Sequence, residues 1–135
     1  CLANVTGIAP RYDAILVYSV MQYVFLEGNI WRFVDAAASL LKPGGRLLLG
    51  DLPNASKRKR FLASAAGRAY HKAHYDPNTD PDVVFNCLDL QEIDDAVIFG
   101  LMQRLRCGGF DVYVMPQPPE LPMANRREDL LVCRP

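Results

Sequence analysis

The sequence predicts an α/β fold in which a mostly parallel sheet is flanked by helices, and three observations carry that expectation. Ala14-Ile15-Leu16-Val17 and Arg46-Leu47-Leu48-Leu49-Gly50 are short apolar runs, as parallel strands covered on both faces require. Between them Ile30, Phe33, Val34, Ala37, Leu40 and Leu41 recur at spacings of three and four, the signature of a helix with one apolar face. Lys42-Pro43-Gly44-Gly45 then supplies a stop, because proline cannot continue a helix and glycine accepts a left-handed turn. Tyr12 to Asp51 therefore reads as a βαβ unit. Open parallel sheets bind small ligands just beyond the carboxyl ends of their strands, which makes the segments Tyr18 to Tyr23 and Gly50 to Asn54 the first candidates for a site.

Each further element has its own signal. Asn29 stands where the crossover helix needs an N-cap. Asp51-Leu52-Pro53-Asn54-Ala55-Ser56 reads as a loop, followed by one helix from Lys57 to about His74 with Phe61, Leu62, Ala65, Ala66, Ala69 and Tyr70 on its apolar side. Its first turn is basic, against the helix dipole. Tyr75 to Asp82 has strong turn chemistry and is the natural place for a lid. Ile93, Val97, Ile98, Leu101 and Leu105 mark another helix, stopped by Gly108-Gly109. Phe110 to Met115 reads as a third strand, and Glu128 to Cys133 as a fourth. The proline-rich connection between them holds no helix, which suits an antiparallel neighbour. The expected sheet has three parallel strands and a closing antiparallel one.

The 135 residues, half of them apolar, suffice for one domain with a real core. No run approaches the roughly 20 apolar residues of a membrane-spanning helix and no segment resembles a signal peptide, so a cytoplasmic location and no membrane partner are the default expectations. Cys1, Cys87, Cys107 and Cys133 form no CxxC pair and read as reduced thiols. Fifteen basic residues balance fifteen acidic ones, so the whole molecule offers no electrostatic case for nucleic acid. Positive charge is nonetheless local, in Lys57-Arg58-Lys59-Arg60 and Arg126-Arg127.

YDAILVYSVMQYV, LLKPGGRLLLGD and the pair GGFDVYV with REDLLVCRP together resemble the second half of a class I S-adenosylmethionine-dependent methyltransferase, across nearly the whole chain. They are similar, in order, to that family's fourth strand with the segment after it, its fifth-strand motif and its closing antiparallel hairpin. The resemblance implies that residues 1–135 are the C-terminal portion of one Rossmann-like domain. It implies S-adenosylmethionine as cofactor of the complete enzyme, a small-molecule acceptor, sugar- or phosphate-bearing, and an isolated fragment without activity. Tyr18, Ser19, Val20, Gln22 and Tyr23 match the segment that touches the cofactor's methionine end. The departure is large, because no GxGxG loop occurs and no acid takes the ribose-binding role; Asp51 follows the fifth strand and does not carry over.

Other residues are weighed on their chemistry. Asp51, Pro53 and Asn54 occupy the loop after the second strand, where an acid or amide can orient or deprotonate an acceptor, although turn formation and capping explain them equally. His71 and His74 share a helical face and offer a general base or half a metal site that only Asp76 or Glu92 would extend, too few ligands to predict a metal. Asp51, His71 and His74 are thus the catalytic candidates. Lys57 and Arg58, near free amides at a helix start, suit a phosphate on the acceptor. The rival expectation is a non-catalytic Rossmann-like binding or assembly module, and a nicotinamide oxidoreductase comes third. As an isolated chain, the strand at Ala14 to Val17 would be an exposed edge inviting homodimerisation.

Overall fold

The computed structural model describes residues 9–87 and 89–135. The chain runs β1 (Tyr12–Tyr18), α1 (Met21–Glu27), α2 (Ile30–Ser39), β2 (Leu41–Pro53), α3 (Ala55–Ala63), α4 (Ala65–His74), α5 (Asp95–Cys107), β3 (Asp111–Pro116), β4 (Arg127–Cys133). These form an α/β fold with one four-stranded mixed sheet in the order β1-β2-β4-β3. No helix among the described residues is long and apolar enough to cross a membrane.

The βαβ unit forms, with β1 and β2 parallel and Leu16 opposite Leu48. Among the described residues only this pair is hydrogen-bonded in parallel. β3 is held solely by β4, and β4 is antiparallel to both β2 and β3. β3 thus runs in the same direction as β1 and β2 without bonding to either, so one hydrogen-bonded parallel pair of the expected three strands is shown, and the antiparallel strand lies between β2 and β3.

Asn29 caps α2, its side chain accepting from Arg32 N at 3.0 Å. The helix ends at Ser39, earlier than the apolar spacing predicts, and Leu41 is buried as the first residue of β2 instead. The Lys42-Pro43-Gly44-Gly45 turn survives as an irregularity within the strand. Tyr12 faces Leu41 and Ala14 faces Arg46, so the extra residues bulge out, with Gly44 at φ +76°.

The single helix expected from Lys57 to His74 is two. Ser64 adopts extended backbone at ψ 163° and caps α4 through Gly67 N, which donates to its Oγ at 3.1 Å. Nothing in the residue types announces this break, because serine is tolerated inside helices. Gly67 makes it sterically feasible: a Cβ there would collide with the Phe61 carbonyl and the Leu62 backbone.

One continuous core lies on one face of the sheet. Leu47, Leu49 and Leu52 of β2, Leu130 and Val132 of β4 and Val112 of β3 meet Met21, Val34, Ala38, Ile98, Leu101 and Leu105 from α1, α2 and α5. Each fully buried leucine contributes about 1.5–3 kcal/mol. The buried Asp35 of α2 receives a bidentate bond from Arg104 of α5, so the charge is compensated where the two helices cross.

The opposite face contradicts the coverage on both sides that the apolar run of β1 predicts. Leu16, Leu48, Leu131 and Tyr113 form a row across all four strands, and Leu16 is 66% and Tyr113 49% exposed. No described helix packs there. Ile15 and Val17 of β1 point to the core, while Ala14 and Leu16 point away.

Gly67→Ala tests the α3–α4 junction. Alanine favours helix over glycine by about 1 kcal/mol, whereas the collision with fixed backbone costs about 1–3 kcal/mol. The expected outcome is a lower urea midpoint and Tm; an unchanged or raised Tm contradicts the packing.

Candidate functional site

β1 ends at Tyr18 opposite Gly50, while β2 bulges there and runs on to Pro53, so the segment expected to be a loop from Asp51 begins as strand. Ser19 and Asp51 adopt left-handed backbone at φ +57° and +58°, a conformation that costs non-glycine residues about 1–3 kcal/mol and persists only where surroundings impose it. Ser19 N donates to Gly50 O at 3.1 Å and Ser19 Oγ to Asp51 Oδ2 at 2.7 Å. The start of β4 holds Asp51 from the other side. Asp51 N donates to Asp129 Oδ1 at 2.8 Å, Arg127 Nη1 donates to Asp51 O at 3.1 Å, and Arg127 Nε lies 3.7 Å from Asp51 Oδ1. Buried Gln117 also donates to Asp129 Oδ1, at 2.9 Å. Glycine at position 50 lets the Tyr18 ring lie close over the strand, since a Cβ would stand 2.6 Å from it and displace the ring.

A groove of about 320 Å³ opens over these turns, lined by Tyr18, Ser19, Asp51, Gln117, Met123 and Arg127. An aromatic face beside a carboxylate suits a cationic ligand group. A second cleft of about 320 Å³ adjoins it, sharing Met123 and Arg127. Phe25, Pro53 and Ile93 give it apolar surface, and Arg58, Glu92 and Arg126 give it charge. Gln22 reaches into its wall: Nε2 donates to Ser19 O at 2.9 Å, and Oε1 is buried with no partner.

Asn54 joins the two halves of the site but is itself fully engaged. It is 1% exposed. Its Oδ1 caps α3 by accepting from Lys57 N at 3.1 Å, and Nδ2 donates to Asp95 Oδ1 and Glu128 Oε2, both at 2.7 Å. Each member of the basic run has a carboxylate within 4.0 Å. Lys57 lies 3.9 Å from Glu128, Arg58 4.0 Å from Glu92, Lys59 2.7 Å from Asp89 and Arg60 2.6 Å from Asp95. These pairs offset the unfavourable dipole at the start of α3. The Arg60 guanidinium, with help from Asn54, holds the Asp95 carboxyl below its ordinary value against a modest desolvation cost.

The sequence candidates thus separate. Tyr18, Ser19 and Asp51 come together in the strand-end groove, while Gln22, Pro53, Asn54 and Arg58 line the second cleft. Val20 and Tyr23 are exposed and line neither, because α1 turns them outward. Lys57 spends its ammonium on the Arg127 carbonyl at 2.7 Å. His71 and His74 face away from both clefts: His74 stacks on Tyr70 with centroids 4.3 Å apart, and His71 on Tyr75 at 5.5 Å. Among the described residues no group of His, Cys, Asp and Glu side chains gathers as metal ligands would. Cys87, Cys107 and Cys133 are free thiols.

Sequence reasoning noted Arg126-Arg127 only as a charge cluster and passed over Gln117, Met123 and Asp129. Arg126 bridges to Tyr70, its Nη2 donating to the hydroxyl at 3.2 Å with the guanidinium 5.3 Å from the ring centroid. That bond lowers the Tyr70 hydroxyl from its ordinary value. The available signal was the position of both arginines immediately before an apolar strand, where side chains reach a sheet end.

No established protein-family profile matches the chain. A 56-residue stretch, 42% of the chain, is 38% identical to chondramide synthase cmdD of Chondromyces crocatus. That stretch corresponds to 1% of the synthase, so the chain spans only a small part of that relative's length.

The Arg60–Asp95 pair yields a pH test. Because the folded carboxyl titrates below its unfolded value of 3.8, its stabilisation is complete above that value and is lost as pH falls through the folded one. Asp95→Asn is expected to cost about 1 kcal/mol near neutrality for this partly exposed pair. The gap in urea midpoint between the two proteins should close as pH drops below 3.8; a gap that stays constant into acid contradicts the pairing.

Proposed function

We propose that this chain is the C-terminal portion of a class I S-adenosylmethionine-dependent methyltransferase domain, whose complete form transfers a methyl group to a small-molecule acceptor. The observation that carries the reading is the sheet order β1-β2-β4-β3, with antiparallel β4 inserted beside the parallel pair and two adjoining clefts at that pair's end. Methyl transfer needs a donor compartment and an acceptor compartment that meet, and little acid–base chemistry from the protein. Among the described residues nothing pairs with the outer edge of β1 or packs on the apolar face of the sheet, which supports a larger domain, since parallel strands are ordinarily covered on both faces.

The strand-end groove fits one end of the cofactor. Tyr18 presents an aromatic face and Asp51 a carboxylate toward a cationic group, and Ser19 fixes the carboxylate through its hydroxyl. When bound, S-adenosylmethionine supplies an electrophilic sulfonium methyl. The glycine-rich loop and ribose-binding acid of that family have no counterpart in this sequence, so the reading rests on the strand-end groove. Met123 and Arg127 stand between the groove and the second cleft and would align an acceptor there while excluding water. The partial similarity to a far larger synthase agrees with a segment that works as part of a longer enzyme.

The test uses the full product of the native gene with methyl-labelled S-adenosylmethionine. Saturable binding and transfer of label to a small-molecule pool are expected, and Tyr18→Ala should weaken binding about tenfold through loss of the aromatic contact. Neither binding nor transfer by the intact gene product overturns the reading and leaves a non-catalytic binding or assembly module.

A further inference from the structure

We infer that the cleft beside α1 takes an amphipathic anion: a compact apolar body bearing a carboxylate or phosphate and, on the same molecule, an N–H or O–H donor. As the acceptor's chemical class this rests on the methyltransferase reading; as a binding property it stands alone.

Charge is the first ground. Three arginines, Arg58, Arg126 and Arg127, line the cleft against one carboxylate, Glu92. Elsewhere on α3 the cations are closely met, Lys59 by Asp89 at 2.7 Å and Arg60 by Asp95 at 2.6 Å. At the cleft they are not. Arg58 has only Glu92 at 4.0 Å, with both side chains half exposed. Arg127 is aimed by the Asp51 carbonyl, with the Asp51 carboxylate at 3.7 Å. Arg126 is held by Asn125 Oδ1 and the Tyr70 hydroxyl, and forms no ion pair among the described residues. Neutral partners thus fix the Arg126 guanidinium in place without neutralising it, as a preorganised anion site requires.

The second ground is an orphaned acceptor. Gln22 Nε2 donates to Ser19 O, which assigns the amide orientation, and Oε1 is left buried with no partner. Buried polar atoms are paired in the great majority of cases, so an exception points to a missing donor. Gln22 lines the cleft, and a turn of its terminal amide about a broad, shallow torsion presents Oε1 to a donor on the ligand. The third ground is apolar wall from Phe25, Leu26, Ile93 and Met123, which a wholly polar ion would leave wetted. A volume of about 320 Å³ corresponds to roughly ten non-hydrogen atoms at the liquid-water volume of about 30 Å³ each.

N-acetyl-L-leucine carries all three features, and titrating it into the isotope-labelled full chain by NMR tests the inference. Shifts at Gln22, Ile93 and Arg126 are expected. Neutral N-acetyl-L-leucinamide should bind about tenfold more weakly, and 4-methylpentanoate, which lacks the N–H, should also lose affinity. Isopentyl phosphate separates the two anion sources, since whichever of phosphate and carboxylate binds tighter identifies the headgroup. Gln22→Leu should erase the preference for N-acetyl-L-leucine over 4-methylpentanoate while keeping the preference for charge, and Arg126→Gln should weaken the latter. Equal binding of acid and amide, or shifts confined to other surfaces, overturns the inference. Acid binding without any S-adenosylmethionine binding by the intact gene product would sink the methyltransferase reading and leave this one. Methyl transfer solely to neutral or cationic acceptors would do the reverse.

Discussion

The placement of β4 is the constraint on which the rest of the molecule depends. A strand hydrogen-bonded on both sides must satisfy two neighbours at once, and β4 does so antiparallel to β2 and to β3. Its sequence divides accordingly. Leu130 and Val132 are fully buried and anchor it in the core, while Arg127, Glu128 and Asp129 emerge at the end of the sheet where β1 and β2 terminate. Arg127 grips the Asp51 carbonyl, Glu128 accepts from Asn54, and Asp129 accepts from the Asp51 amide and Gln117. One strand start thereby fixes the left-handed turn at Asp51, the cap of α3 and the wall shared by the two clefts.

That arrangement explains why a strained site is stable. The backbone energy stored at Ser19 and Asp51 is offset by bonds whose partners lie far apart in sequence, and those partners are held by core burial on the same strand. It also explains the asymmetry of the sheet. The described helices pack on one face, and the apolar row Leu16, Leu48, Leu131 and Tyr113 is left on the other, beside the edge of β1 that has no strand partner among the described residues. An apolar patch next to a strand edge with no partner among the described residues is a surface suited to interaction.

Much of the framework was legible because its signals are local. The apolar runs of β1 and β2, the Asn29 cap and the Gly108-Gly109 stop each declare themselves within a few residues. The one-sided burial of β1 was not legible, since an apolar strand reads the same whether its second face is covered here or elsewhere. Nor was the split at Ser64, where a capping serine sits inside a run of good helix formers. At the site, Tyr18, Ser19 and Asp51 were found because strand ends are where parallel sheets bind ligands. The residues that finish it were missed because Arg127 meets Asp51 across 76 positions of sequence and Asn54 meets Glu128 across 74. The same long-range pairing sets carboxylates beside the basic run at 57–60, closely at Lys59 and Arg60 and loosely at Lys57 and Arg58.

The central claim, that this sheet is one part of a larger methyltransferase domain, is tested most directly by the accessibility of its bare face. Cysteine placed at Leu16 or Tyr113 can be labelled with a maleimide in this chain alone and in the full product of the native gene. Rapid labelling of the chain alone and strong protection in the intact product is the expected result. Equally rapid labelling in both would mean that nothing covers the face, and would contradict the claim.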